Sequence, residues 1–225
     1  MAKLSKRMKA IREKIDSKKV YTLPEAITIL KETSTLKFDP TVEIHVSLGI
    51  DPKKGDQIVR SVVSLPHGNG KVKRVAAFTT HVKEAQEAGA DLFGEEELIN
   101  SIKKDGKCDF DVAVATPEVM PKLSSIAKIL GQKGLMPNPK SGTISTDVKK
   151  MIEEIKRGKE SFKNDDSANV HLAIGRISFD DNKLTDNINS FIDAVKKAKP
   201  TGFKGTYIKS IALSSTMGPG LKVTL

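Results

Sequence analysis

The chain is poor in the residues that typify several common classes of protein. It has no tryptophan and a single cysteine, Cys108, among 225 residues, and aromatic residues make up only 4%. A single cysteine excludes both an intramolecular disulfide and the cysteine-rich zinc sites, and it is compatible with a reducing cytosol. The shortage of aromatic rings disfavours a protein that binds single strands by stacking successive bases.

Long hydrophobic runs are also missing. No stretch of the sequence approaches the roughly 18 apolar residues that a bilayer-spanning helix needs. The first seven residues are followed by no apolar segment, which argues against a secretory signal, and they are richer in lysine than a mitochondrial transit peptide. We therefore interpret this start as part of the mature protein.

The sequence also lacks the spacings on which common active sites depend. Gly68 and Gly70 resemble a dinucleotide-binding turn, but the third glycine position of that motif is Lys73. The four histidines do not show the spacing of a zinc protease, and no pair of carboxylates stands out for acid–base catalysis. The sequence therefore predicts no catalytic residue, no metal site and no cofactor.

Positive charge is abundant. The 38 lysines and arginines exceed the 28 acidic residues, for a net charge of +10. Residues 1–19 carry eight basic and two acidic side chains, and residues 68–159 carry 16 and 13, so the two flanking stretches hold the remaining 22 and 15. A polyanion such as RNA, DNA or an anionic membrane surface is the first candidate partner, and a solvated basic surface is the alternative.

Hydrophobic periodicity changes twice along the chain. Helices are predicted at residues 3–16 and 23–33 and alternating strands at 41–50 and 58–65; the same pattern returns after residue 159 in a strand at 169–179, a helix at 184–198 and strands at 207–215 and 221–225. Short buried strands alternate with helices in between, including one predicted helix at 117–130, which is typical of a parallel sheet.

This pattern predicts two domains. Residues 1–67 and 160–225 would form a discontinuous α+β domain with an antiparallel sheet plus helices. Residues 68–159 would form an inserted α/β domain with a parallel, dinucleotide-fold-like sheet. The glycine-containing linkers near 66–70 and 157–160 predict a hinge.

Two loops combine glycine and proline with polar groups and a methionine, at residues 131–140 and 214–220. Glycines allow the backbone to approach a ligand closely, although a plain turn is the alternative. Lys37 and Phe38 place a cation and a ring before a strand, where they either contact RNA or close the core.

Six segments together resemble the bacterial ribosomal protein L-one family, the protein of the mobile stalk of the large ribosomal subunit. These segments are residues 37–43, 48–52, 63–68, 113–117, 134–140 and 216–219. The resemblance covers essentially the whole chain and implies the two-domain architecture described above.

The resemblance also implies partners: large-subunit ribosomal RNA, exit-site tRNA whose release such proteins assist, and the protein's own mRNA, which many family members repress. It implies a protein on the cytoplasmic ribosome that is monomeric when off it. RNA contact in the first domain is expected at Lys37, Phe38, Thr41, Glu43, His171, Gly175, Arg176, Ser178, Ser214, Thr216, Met217 and Gly218. Weaker contacts are expected in the insert at Lys133 and Lys140.

Two other hypotheses stay open at this point. The α/β insert could bind a nucleotide or small molecule as part of an enzyme. Alternatively, the lysine-rich first helix could bind a membrane surface through the apolar stripe formed by Leu4, Met8, Ile11 and Ile15, although we expect that stripe to pack on the first domain.

Overall fold

The computed structural model describes residues 5–16 and 19–224. Two compact units are present: Met1–Gly70 with Phe162–Leu225, and Lys71–Ser161. Below, these are called the first unit and the insert.

The regular elements follow one another along the chain with short connections. In chain order they are α1 (Lys6–Lys14), β1 (Tyr21–Thr22), α2 (Leu23–Thr33), β2 (Thr41–Leu48), β3 (Arg60–Ser64), β4 (Val75–Phe78), α3 (Val82–Glu87), β5 (Leu92–Gly94), α4 (Glu96–Asp105), β6 (Val112–Ala115), α5 (Met120–Leu123), α6 (Ala127–Gln132), α7 (Val148–Lys156), β7 (Lys159–Lys163), β8 (Asn169–Arg176), α8 (Asp181–Lys197), β9 (Ile208–Ser215) and β10 (Gly220–Thr224). Short 3-10 turns occupy Gly55–Gln57, Ser124–Ile126 and Pro139–Ser141.

The first unit is built on a five-stranded sheet. Its strand order is β1-β10-β9-β2-β8, with β1 parallel to β10 and every other neighbouring pair antiparallel. Residues of β2 alternate between buried and half-exposed, as the period-2 pattern predicts. The buried residues, such as Ile44, share one core with Ile27 of α2 and Phe191 of α8. The α+β class of this unit is therefore confirmed.

The second helix begins and ends where the sequence predicts. Pro24 lies in its first turn, and the amide nitrogen of Thr22 donates to a carboxylate oxygen of Glu25 at 3.2 Å. This backbone hydrogen bond lowers the pKa of Glu25 and satisfies an amide that the helix leaves unpaired. The capping sequence therefore places α2, whose apolar stripe covers the sheet.

The insert contains a three-stranded parallel sheet in the order β5-β4-β6. All four residues of β4 are buried, and successive ones face different cores. Ala76 packs with residues of α4, α5 and α6, whereas Ala77 packs with residues of α3 and α7. Helices on both faces of a parallel sheet confirm the α/β class of the insert.

One predicted helix of the insert is interrupted. The apolar period at 117–130 predicted a single helix, but the structure has α5, a 3-10 turn and α6 there. The hydroxyl of Ser124 donates to the carbonyl of Pro121, and that of Ser125 to the carbonyl of Lys122. Such local side-chain bonds compete with the backbone bonds of an α-helix.

Two further differences concern strands. The prediction missed β7, of which only Phe162 is fully buried, so its sequence carries little period-2 signal. The strand predicted at 169–179 ends at Arg176, because Ser178 is in a turn that is hydrogen-bonded to Asp39. No helix in the described part of the chain combines the length and apolar character needed to cross a membrane.

Candidate nucleic-acid interface

The face of the first unit's sheet that is turned away from the core is polar. On β2 it presents Thr41, Glu43, His45 and Ser47, all half-exposed. Pairing across the strands adds polar neighbours: Ser214 stands opposite Glu43, His171 opposite His45, and Asn169 and Ser210 opposite Ser47. We call this surface the polar face.

Three chain segments meet at one edge of the sheet. Strand β2 runs antiparallel to both β8 and β9, so its first residues lie beside the last residues of those strands. Thr41 pairs with Arg176, and Val42 pairs with Ser215. Residues 37–41, 176–178 and 214–218 therefore form one contiguous surface, called here the contact edge, although they are far apart in sequence.

Hydrogen bonds join the first and third of these segments. The amide of Thr41 donates to the hydroxyl oxygen of Thr216 at 3.1 Å, and the amide of Thr216 donates to the carbonyl of Thr41 at 3.0 Å. A threonine hydroxyl can accept and donate at once, which suits it to closing the gap left at the end of the strand ladder. Thr216 thus orders the contact edge.

Met217 is presented by a strained turn. Its φ of 58° lies in the left-handed region, which non-glycine residues rarely adopt, and its side chain is 68% exposed. A guanidinium nitrogen of Arg7 donates to the Met217 carbonyl at 2.7 Å. A Cβ at the following residue, Gly218, would lie 2.2 Å from the hydroxyl oxygen and 3.1 Å from the carbonyl oxygen of Ser215, so a larger residue there would require Ser215 to move. Strain that the surroundings maintain is typical of functional sites.

Asp39 joins the loop before β2 to the turn after β8. Its carboxylate accepts from the amide and the hydroxyl of Ser178, at 3.2 and 2.7 Å, and lies 3.9 Å from a guanidinium nitrogen of Arg176. Nε of Arg176 also donates to the carbonyl of Gly70. Beside these groups, Lys37 is exposed and Phe38 is 52% exposed. A cation and a ring are therefore available for a partner.

Four side chains form a hydrogen-bonded chain across the polar face. Nε2 of His45 lies 2.9 Å from the hydroxyl of Ser214, Nδ1 of His45 lies 2.8 Å from Nδ1 of His171, and Nε2 of His171 lies 3.4 Å from a carboxylate oxygen of Asp165. Burial lowers the pKa of His45, and the neighbouring His171 lowers it further, while Glu43 opposes them. The neutral imidazole is thus favoured at His45.

The structure brings the residues expected to contact RNA in the first unit together, and all but one of them are partly or fully exposed. Gly175 is the exception, since it is buried and a Cβ there would point at Leu184 and Phe179. Lys133 and Lys140 lie in the insert, both exposed, at the end of α6 and in a 3-10 turn. RNA contact by each of these residues stays a prediction.

Several residues that shape this surface are not among those predicted from the sequence. His45 was detectable, because it occupies the polar side of an alternating strand between Glu43 and Ser47. Asp39 was also detectable, next to Phe38. Asp165 lies in the turn before β8 and bonds to residues close in sequence, but no motif marked it. Arg7 carries no local signal, since its partner Met217 is 210 residues away.

The remaining hypotheses find less support in the geometry. Within residues 5–16 and 19–224, no group of three or more histidine, cysteine or acidic side chains could hold a metal ion. The insert has a cavity of about 440 Å³ lined by residues that include Arg74, Lys107 and Phe110. It lies at the amino ends of β4 and β6, whereas α/β proteins bind nucleotides at the carboxyl ends.

The first helix packs on the first unit. Ile11 is buried and Ile15 contacts the core of that unit, so this part of the apolar stripe is not free for a membrane. Leu4, the other end of the stripe, lies outside the described residues.

Comparison with known proteins gives one consistent result. A profile of the Ribosomal protein L1p/L10e family matches residues 30–219. The chain is 52% identical over 224 residues to the protein named large ribosomal subunit protein uL1 of Mycoplasma capricolum subsp. capricolum, covering 99% of each chain. It is 53% identical over 226 residues to the protein of the same name from Mesoplasma florum, covering 100% of each. This chain therefore belongs to the Ribosomal protein L1p/L10e family.

Proposed function

We propose that this protein is a component of the large ribosomal subunit and binds ribosomal RNA with the contact edge and the adjoining polar face. The observation that carries the proposal is the convergence of residues 37–41, 176–178 and 214–218 on one surface, with the exposed Met217 held in a strained turn. The names of the related proteins support the ribosomal assignment.

The chemistry of this surface suits structured RNA. Lys37 and Arg176 can neutralise phosphates, whereas Glu43 and the serine and threonine hydroxyls can bond to ribose hydroxyls or base amino groups. Exposed rings are few, so reading of backbone shape and 2′-hydroxyls fits better than stacking along a single strand. Exposed Phe38 and Met217 then pack against sugars or the edge of a base.

The same proposal has finer parts. On the ribosome the protein forms the mobile stalk near the tRNA exit site and assists the release of deacylated tRNA. Off the ribosome it is a cytoplasmic monomer that represses translation of its own mRNA. The insert contributes weaker RNA contacts through Lys133 and Lys140. The protein acts by binding and not as an enzyme.

Binding to the ribosomal RNA fragment that forms the stalk tests the central part of this proposal. The full chain is titrated with that fragment and with a scrambled hairpin of equal length, over a series of salt concentrations. We expect strong preference for the stalk fragment, with a modest salt dependence because hydroxyl and shape contacts share the work with phosphate contacts. Equal and steeply salt-dependent binding to both RNAs would leave only a basic surface and contradict the proposal.

Repression is tested separately. A reporter message that carries the protein's own upstream leader is translated in a cell-free system with increasing amounts of the protein. We expect output to fall with the leader present and to stay constant when the leader is scrambled. Competition by the stalk fragment should restore translation if both RNAs occupy the same site.

A further inference from the structure

In the hydrogen-bonded chain of side chains on the polar face, from Asp165 through His171 and His45 to Ser214, each group has a defined donor or acceptor role. Asp165 accepts hydrogen bonds from the amides of Asn169 and Ser167 at 2.6 and 2.9 Å, and the first of these is the main reason that its pKa is lowered. As a carboxylate it can only accept, so Nε2 of His171 must carry the hydrogen that points at it. In a neutral imidazole the other nitrogen, Nδ1, is then an acceptor.

The acceptor role of Nδ1 of His171 determines the roles of His45 and then of Ser214. Because Nδ1 of His171 accepts, Nδ1 of His45 must donate to it across 2.8 Å. Nε2 of neutral His45 is then an acceptor, and its partner at 2.9 Å is the hydroxyl of Ser214. The hydrogen of that hydroxyl is used inside the protein, so Ser214 offers only lone pairs to a ligand.

A second acceptor lies beside the first. Glu43 stands opposite Ser214 in the β2–β9 register, and its carboxylate also offers only lone pairs. Two adjacent acceptors fit a ligand group that donates, such as a hydroxyl or an amino group, and disfavour a phosphate oxygen. Ser214 and Glu43 therefore select a ligand group that donates hydrogen bonds over one that only accepts them.

Adding one proton to His171 exchanges the donor and acceptor roles along these hydrogen bonds. A protonated His171 donates from both nitrogens, so Nδ1 of His45 must accept and its Nε2 must donate to Ser214. The hydroxyl hydrogen of Ser214 then turns outward and the group becomes a donor. Glu43 favours a proton on His45, whereas burial of His45 and the neighbouring His171 disfavour it. The other charged groups near the pair are Asp165, which accepts from His171, and Lys222, which lies on β10 opposite Ala212.

We propose that His45 is a positioning residue that fixes Ser214 as a hydrogen-bond acceptor on the RNA-facing surface, and that protonation of the His45–His171 pair reverses this choice. The inference rests on the proposed RNA binding. It assigns to His45 a role in selecting the ligand group that Ser214 meets, and it makes selectivity for that RNA dependent on pH.

The first test uses the protein alone. Nitrogen-15 NMR of the histidine rings distinguishes the two neutral tautomers. At pH 7.5 we expect hydrogen on Nδ1 of His45 and on Nε2 of His171. The opposite tautomers would overturn the proposal whether or not the protein binds RNA.

The second test measures selectivity as the ratio of the dissociation constants for the scrambled hairpin and the stalk fragment. Taking the ratio cancels the general gain in affinity for a polyanion as histidines become charged. From pH 7.5 to 5.5 we expect the ratio to fall about five-fold or more, the lower end of the cost of one specific contact. His45→Ala and Ser214→Ala should start from a lower ratio and show little change with pH.

His67→Ala is the matched control, because His67 contacts Asp186 in the same unit but lies off the polar face. It should keep the wild-type pH profile. The proposal would be refuted if the selectivity ratio of the wild type did not change with pH. It would also be refuted if a folded His45→Ala protein kept the wild-type dependence on pH. Absence of any preference for the stalk fragment at pH 7.5 would instead refute the proposed function. The NMR test would still establish whether His45 and His171 have the expected tautomers.

Discussion

The two sheets of this protein differ in what they leave for a partner to contact. In the insert, β4 is buried on both faces, with Ala76 and Ala77 in different cores. In the first unit, β2 buries Ile44 and leaves Glu43 and His45 half-exposed. When helices cover both faces of a sheet, a partner can contact only the loops. When one polar face is uncovered, a partner can contact side chains along the strands themselves.

Aspartate substitutions at neighbouring positions of β4 and β2 should have the largest effects, and they test how each sheet is covered. Ala76→Asp and Ala77→Asp should both unfold the insert, since burying an unpaired carboxylate costs several kcal/mol. On β2 we expect Ile44→Asp to be equally damaging and Ser47→Asp to change stability by less than about 0.5 kcal/mol. Circular dichroism during urea unfolding measures both effects. A folded, stable Ala76→Asp or Ala77→Asp protein would show that the insert's sheet is not closed on both faces.

Met217→Asp should have the next largest effect, this time on binding. A carboxylate would replace the apolar contact with a sugar or base edge and would be repelled by the surrounding phosphates, so we expect a loss of about 1–3 kcal/mol in affinity for the stalk fragment. Lys140→Ala in the insert is the counterpart and should cost less than Met217→Asp. Isothermal titration calorimetry gives both values. A larger loss from Lys140→Ala would move the principal site to the insert.

Arg7→Ala should have a smaller effect, and it tests whether Arg7 supports the contact edge. Losing the hydrogen bond to the Met217 carbonyl should weaken stalk binding by about 1 kcal/mol while leaving the fold intact, since the bond is exposed. Lys9→Ala, an exposed cation of the same helix, controls for charge. If the two variants lose affinity equally, then Arg7 acts only through its charge.

The pH dependence of folding should show the smallest effect. Because the folded state lowers the pKa of His45, the unfolded chain binds more protons just below the ordinary value of 6.5. Stability from this group is therefore complete above pH 6.5 and is lost as pH falls towards the lowered pKa. Urea unfolding between pH 7.5 and 5 should show a shallower decline for His45→Ala. An identical decline would indicate that His45 does not have a lowered pKa.

Much of the fold was predictable because local signals and burial agree. Alternation identified β2, and the Thr22–Glu25 capping pair placed the start of α2. The break in the helix near Ser124 was not predicted, because the hydroxyl of Ser124 bonds to a backbone carbonyl, which the apolar period does not reveal. Strand β7 was not predicted, because its residues alternate only weakly between polar and apolar.

The site was predictable only in part. The loops at 37–41 and 214–218 could be selected from their composition and from the family resemblance, but their meeting at one edge depends on strand register. Register also decides that Gly175 turns inward while His45 contacts Ser214. The contact of Arg7 with Met217 depends on the packing of α1, which no local pattern encodes.

Hydrogen–deuterium exchange of the full chain, with and without the stalk fragment, locates the surface that binds RNA. We expect RNA to slow exchange at residues 37–43, 169–178 and 214–218, with smaller changes at 131–140 and none in β4 and β6. Strong protection confined to the insert, with the three segments of the first unit unchanged, would contradict it.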